Sequence, residues 1–334
     1  MNTTIDRKSA VLDNLKILRA QEIANKQPFK AKAYSTVIKN IEAHEGAIRT
    51  IEDLAEIKGV GESIKEKLKE ILETGFIERT KDAIKSVGKS KAIEQLMEVH
   101  GIGNVKANKL VEDGVLSIEQ LKERVKLDPK LLNDKQKLGL CYHDDFIKRI
   151  PQSEMDKHNE FIGNIVKKID PKIVYVIVGS YRRKAATSGD IDVLLTHPLS
   201  TADKSWFKQI VDTMRDSYLV DDLAYGSEKY LGICKLPKHK TYRRVDLLYI
   251  PPVQFPFALL YFTGSQDFNI EMRHVALKKG YSMSEHGFKY TSGPQKGEFL
   301  DEIFVSEEEI FEFLDIEYVK PEDRAKGAIK MLMP

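Results

Sequence analysis

The chain has 334 residues, 42% hydrophobic and 31% charged, with 53 basic and 51 acidic side chains and a net charge of +2. That is enough apolar material for more than one core, and no apolar run reaches the roughly 20 residues that span a bilayer. The polar start, residues 1–8, lacks the apolar block of a signal peptide, and two scattered cysteines, Cys141 and Cys234, make neither a disulfide framework nor a zinc site; an intracellular, reducing compartment is expected.

Helical periodicity opens the chain. Val11, Leu12, Leu15, Leu18 and Ile23 recur at helical steps, and residues 29–41 continue the pattern with small and basic residues. Next comes I-K-G-V-G, Ile57 to Gly61, leading into the helix-like S-I-K-E-K-L-K-E-I-L. A second copy, V-H-G-I-G from Val99 to Gly103, leads into N-V-K-A-N-K-L-V. Residues 128–145 are polar, and the character changes near Arg149-Ile150-Pro151. Beyond that point Ile173–Val178, Ile191–Leu195 and Val245–Ile250 read as buried strands. Pro251-Pro252 breaks the chain. A last mixed region carries strand-like Gly287–Tyr290 and an acidic helix, Ser306–Leu314, with Ser306 as its cap. The fold class expected is α+β, with an all-helical front and a rear built on a mixed sheet.

In each Gly-x-Gly copy the glycines allow a tight turn that presents amides at a helix start. Such amides, with the helix dipole, hold phosphate. Lys65 and Lys67 in one copy, and Lys106 and Lys109 in the other, are placed to reach neighbouring phosphates in a sequence-independent way. An ordinary glycine-turned helical hairpin is the bland alternative; two copies with flanking lysines favour phosphate.

The strongest signal is G-S-Y-R-R, Gly179 to Arg183, followed by S-G-D-I-D-V-L-L, Ser188 to Leu195. Alternation along a strand puts Asp190 and Asp192 on one face. Two adjacent carboxylates call for a cation, and hard oxygen ligands suit Mg²⁺. Asp246 in R-R-V-D-L-L-Y-I lies on another apolar strand; if the strands are neighbours, three carboxylates could hold two divalent ions for in-line phosphoryl transfer. Gly179-Ser180 would let a triphosphate approach the backbone, and Arg149 and Arg183 are candidate clamps for its phosphates.

Taken together, G-S-Y-R-R-K-A-A-T-S-G-D-I-D-V-L-L-T-H-P resembles the palm signature of the beta-like X family of DNA polymerases. Y-F-T-G-S, Tyr261 to Ser265, D-F-I-K-R-I-P and the closing E-Y-V-K-P-E-D-R resemble it too, so the resemblance covers essentially the whole chain. It implies a helical 5′-deoxyribose-phosphate lyase-like domain at 1–85, a DNA-binding subdomain at 86–149, a catalytic palm at 150–252 and a nascent-base-pair subdomain at 253–334. It implies metal ligation by Asp190, Asp192 and Asp246, with two Mg²⁺ (Mn²⁺ as a substitute), and activation of the primer 3′-hydroxyl by Asp246. Arg149, Ser180, Arg183 and Gly189 match triphosphate contacts. Tyr261, Phe262 and Gly264 match the wall that disfavours a ribose 2′-hydroxyl, and Asn269 and Arg273 match minor-groove and template contacts. A monovalent cation, Na⁺ or K⁺, is implied on the carbonyls of Ala55, Ile57 and Val60, and of Met97, Val99 and Ile102. Lys67 falls at the family's lyase nucleophile, where a lysine amine forms a Schiff base with an abasic sugar. The implied partners are gapped or nicked duplex DNA and deoxynucleoside triphosphates, with no membrane and a monomeric state; the location is nuclear in a eukaryote, otherwise cytoplasmic or viral.

Some positions depart from the family. Ser63 stands for a lysine, and Gln27-Pro28 for a Lys-Tyr pair, with Lys26, Lys30 and Lys32 as nearby substitutes. Gln266 replaces an acidic residue near the incoming base. Leu248 replaces an arginine that competes for a metal-ligand carboxylate, which predicts a weaker brake on closure. Lys229, Lys235, Lys238, Lys240, Arg243 and Arg244 form a basic stretch read as a DNA contact. His143, His158 and Trp206 read as structural, and Glu307–Glu309 as a solvated helix start. A template-independent nucleotidyltransferase and a non-catalytic DNA-end binder are the alternatives to a gap-filling repair polymerase.

Overall fold

The computed structural model describes residues 5–25, 27–54, 57–198 and 204–332. The chain forms two compact units, 1–132 and 133–334. The division falls inside segment 86–149.

The first unit is helical: α1 (Lys8–Ala24), α2 (Pro28–Ala43), α3 (Glu62–Thr74), α4 (Lys81–Met97), α5 (Asn104–Glu112) and α6 (Ile118–Leu127). Pro28 suits the first turn of α2, where its missing N–H costs nothing. Gly75, at φ +89°, ends α3 in a left-handed cap. Val11, Leu15 and Leu18 of α1 pack on Tyr34, Val37 and Ile41 of α2 and on Ile64, Leu68 and Ile71 of α3. Ile23, expected on the same stripe, is exposed; five positions past Leu18 it has rotated ~140° around the helix, off the buried face. One buried polar group closes the bundle. The Asn14 carbonyl oxygen accepts from the Ile77 amide at 3.1 Å and the Thr80 hydroxyl at 2.6 Å, and its amide donates to Ala10 and Gly75 carbonyls.

The second unit begins with α7 (Asp134–Cys141), started by an Asn133–Gln136 capping box, and α8 (His143–Phe146). Then come β1 (Ile150–Pro151), α9 (Gln152–Ile169), β2 (Val174–Ile177), α10 (Gly179–Arg182), β3 (Thr187–Ser188), β4 (Ile191–Thr196) and α11 (Ser205–Arg215). They are followed by β5 (Leu219–Tyr225), β6 (Lys229–Cys234), β7 (Arg243–Tyr249), α12 (Phe255–Thr263), α13 (Gln266–Lys278), β8 (Tyr281–Ser284), β9 (Gly287–Tyr290) and α14 (Glu307–Phe313). The main sheet runs β2-β4-β7-β6-β5, with β4 and β7 parallel and the other pairs antiparallel. The α+β class read from the sequence is the one observed.

One face of this sheet is buried under α9 and α11, where Ile191, Val193, Val245 and Leu247 meet Ile162, Val166, Phe207 and Ile210. Trp206 packs against the same core, edge-on to Tyr249. On the opposite face Val178, Leu194 and Leu248 meet Ala258, Leu259 and Phe262 of α12. A separate aromatic core, with Phe257, Phe268, Phe288, Phe304 and Phe311, joins α12–α14 to the β8–β9 hairpin. Ser306 caps α14 as expected.

Asn14→Ala should destabilise the first unit by about 2 kcal/mol, since it deprives buried polar groups of their partner. Chemical denaturation followed by circular dichroism measures this. A change within about 0.5 kcal/mol, as for a neutral surface site, would contradict the account.

Candidate active site

The parallel pairing of β4 with β7 sets Asp192 directly against Asp246. Both strands alternate. Arg243, Val245, Leu247 and Tyr249 are buried on one side of β7, which leaves Arg244, Asp246 and Leu248 on the other. Asp190, just before β4, joins the pair. Nη2 of Arg244 lies 2.9 Å from Asp190 Oδ2 and 3.6 Å from Asp246 Oδ2. The three acids predicted from the sequence are therefore brought together.

Burial and the neighbouring carboxylates of Asp190 and Asp246 push the Asp192 carboxyl up to about 7. Burial pushes Asp246 up to about 6 against the pull of Arg244, with Asp190 adding to the rise. Among the described residues no three acidic or imidazole side chains converge closely enough to hold an ion as they stand. The Arg244 cation bridges two of the acids. Hard oxygen donors, partly desolvated, mutually repelling and bridged by a guanidinium, fit divalent cations once Arg244 is displaced. Leu248 packs with Leu194 and α12. On the same face of β7, Arg244 contacts Asp190 and Asp246.

The residues expected at a triphosphate gather beside this cluster. Ser180 Oγ donates to Ser188 Oγ at 2.9 Å. Arg149 is held by the Thr187 carbonyl and hydroxyl at 2.9 and 3.2 Å. A Cβ on Gly189 would come within 3.0 Å of the Arg149 guanidinium, so glycine there permits the close approach. Gly179, at φ +63°, places its Cα side toward Asp192. The Arg183 guanidinium donates to the Thr263 carbonyl.

Arg183, Tyr261, Phe262, Gly264, Asn269 and Arg273 all line one cleft of about 580 Å³. Asn269 donates to the Tyr261 carbonyl at 2.7 Å, and the Arg273 guanidinium lies 5.3 Å from the Tyr261 ring centre. Phe262 stands edge-on to Tyr261. Three further liners, Thr263, Gln266 and Ile270, complete the wall. Ile270 was not singled out from the sequence; its helical position, one after Asn269 and three before Arg273, was the available signal.

In the first unit the hairpins separate two roles for glycine. Gly59 and Gly101 have φ of +95° and +84°, which the turn demands. Gly61 and Gly103 cap α3 and α5 with extended backbone, and a Cβ on either would meet nothing within 4 Å. No internal contact requires glycine there, whereas an approaching phosphate backbone would. Neither helix start has a side-chain cap. Lys109 is exposed, but Lys106, expected at phosphate, donates to the Leu131 carbonyl at 2.6 Å. Ile57 and Val60 line a cavity of about 280 Å³ beside the first turn. Val99 and Ile102 are buried and Met97 is exposed, and the Val99 carbonyl already accepts from the Ile102 amide. Ala55 and Lys26 lie outside the described residues. Lys67 is half-buried on α3, and its amine donates to the Ser63 carbonyl at 2.8 Å and hydroxyl at 2.9 Å.

Two expectations are corrected. Arg243, assigned to a DNA-facing basic stretch, is buried and forked onto Glu154 of α9 at 2.8 and 3.0 Å, because neighbours on a strand face opposite ways. Glu307, read as a solvated helix start, is 4% exposed and held by Arg182 and Arg324 at 2.7 Å each; two arginines from outside α14 offset its burial. His158 is structural as expected: its Nδ1 meets the Tyr218 hydroxyl at 2.7 Å, and burial pushes its pKa down to about 4.

Comparison with known proteins gives a consistent result. Residues 6–77 match a helix-hairpin-helix domain, 94–147 the fingers domain of DNA polymerase lambda, 149–252 the DNA polymerase beta palm and 258–325 the DNA polymerase beta thumb. DNA polymerase lambda of Rattus norvegicus is 30% identical over 326 residues, 94% of this chain and 56% of the relative. DNA polymerase lambda of Arabidopsis thaliana is 29% identical over 87% of the chain and 57% of the relative. The DNA-directed DNA/RNA polymerase mu of Homo sapiens is 26% identical over 85% and 62%. The chain thus spans about three fifths of the length of these relatives.

The raised carboxyls give a signed pH dependence. Both acids bind a proton more tightly in the folded than in the unfolded chain. In the absence of metal, their protonated forms therefore stabilise the fold at low pH, and this is lost as pH rises through about 6 to 7. A divalent cation must displace those protons. Mg²⁺ should raise Tm more at pH 8 than at pH 5.5 in thermal melts, and equal shifts at both would contradict the assignment.

Proposed function

The chain belongs to the X family of DNA polymerases, and we propose that it fills short gaps in duplex DNA by template-directed nucleotidyl transfer. The observation that carries this reading is the register of Asp192 against Asp246, with Asp190 bridged to Asp246 through Arg244. Asp190, Asp192 and Asp246 would hold two Mg²⁺, with Mn²⁺ as a substitute. When bound, such ions supply Lewis-acid stabilisation of the attacking and leaving oxygens. Asp246 orients the primer 3′-hydroxyl and draws on its proton. Ser180, Arg183, Gly189 and Arg149 receive the triphosphate, and the transfer releases pyrophosphate. Tyr261, Phe262 and Gly264 close against the sugar, while Asn269 and Arg273 face the nascent pair and template.

The helix starts after Gly61 and Gly103 support phosphate-backbone binding on each side of a gap. Monovalent cations would be held by carbonyls of the same turns, those of Ala55, Ile57 and Val60 in one and Met97, Val99 and Ile102 in the other. The chain would work as a monomer on gapped or nicked DNA, in the nucleus if the source is eukaryotic. A second activity is proposed at Lys67: its amine attacks the aldehyde carbon of an abasic sugar, water leaves, and β-elimination from the Schiff base expels the 3′-phosphate. The exposed ends of Lys30 and Lys32 are the cations near by in sequence that would receive the 5′-phosphate.

Asp246→Ala should lower single-nucleotide insertion on a gapped duplex by about a thousandfold or more, with the fold intact by circular dichroism. Retained turnover would defeat the assignment. Extension of a single strand without template would favour the template-independent alternative. Tight gapped-DNA binding without metal-dependent insertion would favour a scaffold.

Borohydride trapping on a 5′-deoxyribose-phosphate substrate should yield a covalent adduct that Lys67→Ala loses. An undiminished adduct in that variant would remove Lys67 from the role.

A further inference from the structure

Three successive cations leave the catalytic turn and reach different parts of the segment beyond residue 253. Arg182 donates to the Thr263 hydroxyl at 2.7 Å and forks onto Glu307 at 3.0 and 2.7 Å. Arg183 donates to the Thr263 carbonyl. Lys184, at φ +57°, reaches Glu322 at 2.8 Å. Their partners differ in kind. Arg182 answers a buried anion that also binds Arg324, and its departure would leave that carboxylate short of a partner. Lys184 answers an exposed anion. Arg183 is held by a neutral carbonyl, and it also lines the nucleotide cleft.

We propose that Arg183 is an exchangeable latch: without nucleotide its guanidinium caps α12 at the Thr263 carbonyl, and a bound triphosphate draws it away and releases the Thr263–Ser265 turn. The inference rests on the triphosphate role proposed for Arg183 and adds a coupling to it. A polyanion outcompetes one neutral carbonyl for a guanidinium. The carbonyl left behind belongs to a fully buried residue at the negative end of α12. A buried carbonyl without a donor is disfavoured, so the turn shifts until another donor or water reaches it. That turn directly follows Tyr261-Phe262 and continues into Ser265, the cap of α13. Gly264 lies under the latch itself, with a would-be Cβ 3.2 Å from the Arg183 guanidinium. Phosphate binding at one end of the cleft is thereby transmitted to the sugar wall at the other, while Arg182 and Lys184 hold the segment in place.

The test is amide hydrogen exchange on the full chain with Mg²⁺ and inorganic tripolyphosphate, binding being measured separately by calorimetry. Exchange at the amides of Gly264, Phe268 and Asn269, which donate to the Leu260 carbonyl and to the Ser265 hydroxyl and carbonyl, should rise roughly tenfold or more, the effect of losing one charge-assisted hydrogen bond. Arg183→Gln should show that faster exchange without ligand, and no further rise with it. Deoxyadenosine without phosphates should change nothing. Tripolyphosphate that binds without altering these amides would overturn the latch alone, as would wild-type protection in Arg183→Gln. Absence of tripolyphosphate binding would remove the phosphate role of Arg183 and the latch together.

Discussion

Two carboxylates held opposite each other on neighbouring parallel strands are the constraint on which the rest of the second unit depends. Their repulsion is built in by register, because Ile191 pairs with Val245 and Val193 with Leu247 under α9 and α11. A one-residue slip of β7 would send Asp246 into that core and Val245 into the cleft. Burying the alternate residues thus fixes the acids in place without any contact between the acids themselves. The same geometry explains why an arginine has come to lie between Asp190 and Asp246, and why the site accepts protons unusually readily.

Countercharge is the theme that links this cluster to its surroundings. Arg244 lies between two acids that are proposed to take metal, and offsets their charge. Arg243, one residue earlier, is fixed in the palm core by Glu154 and by the Lys148 carbonyl. Neighbouring arginines on one strand therefore have opposite duties, and only alternation separates them. Arg182 and Arg183 divide in the same way, one committed to a buried glutamate and the other resting on a carbonyl.

Much of this was legible in the sequence, for identifiable reasons. β4 and β7 are uninterrupted apolar runs with acids at alternate positions, so both the strands and the face of the acids could be read. Their adjacency could not, because pairing is a long-range property, and it was inferred through family resemblance. β5 and β6 escaped notice since L-V-D-D-L-A-Y and K-Y-L-G-I-C mix charge or glycine into short apolar segments. The buried state of Glu307 was hidden because its partners Arg182 and Arg324 stand 125 and 17 residues away. The partner of Lys106 was hidden for a similar reason: it is a carbonyl in the loop after α6.

The near-neutral composition offers no overall positive excess to a nucleic-acid partner, and several cations are committed inside the fold. Arg182 and Arg324 neutralise the buried Glu307, Arg243 pairs with the half-buried Glu154, Lys106 closes a loop, and Arg244 offsets the acid cluster. The attraction proposed for phosphate then falls to features that a count of charged residues misses. Two of these are the uncapped starts of α3 and α5, where backbone dipoles point outward over glycines with open space above them. Such dipoles bind phosphate without reading bases, which suits a protein proposed to act on gaps of any sequence.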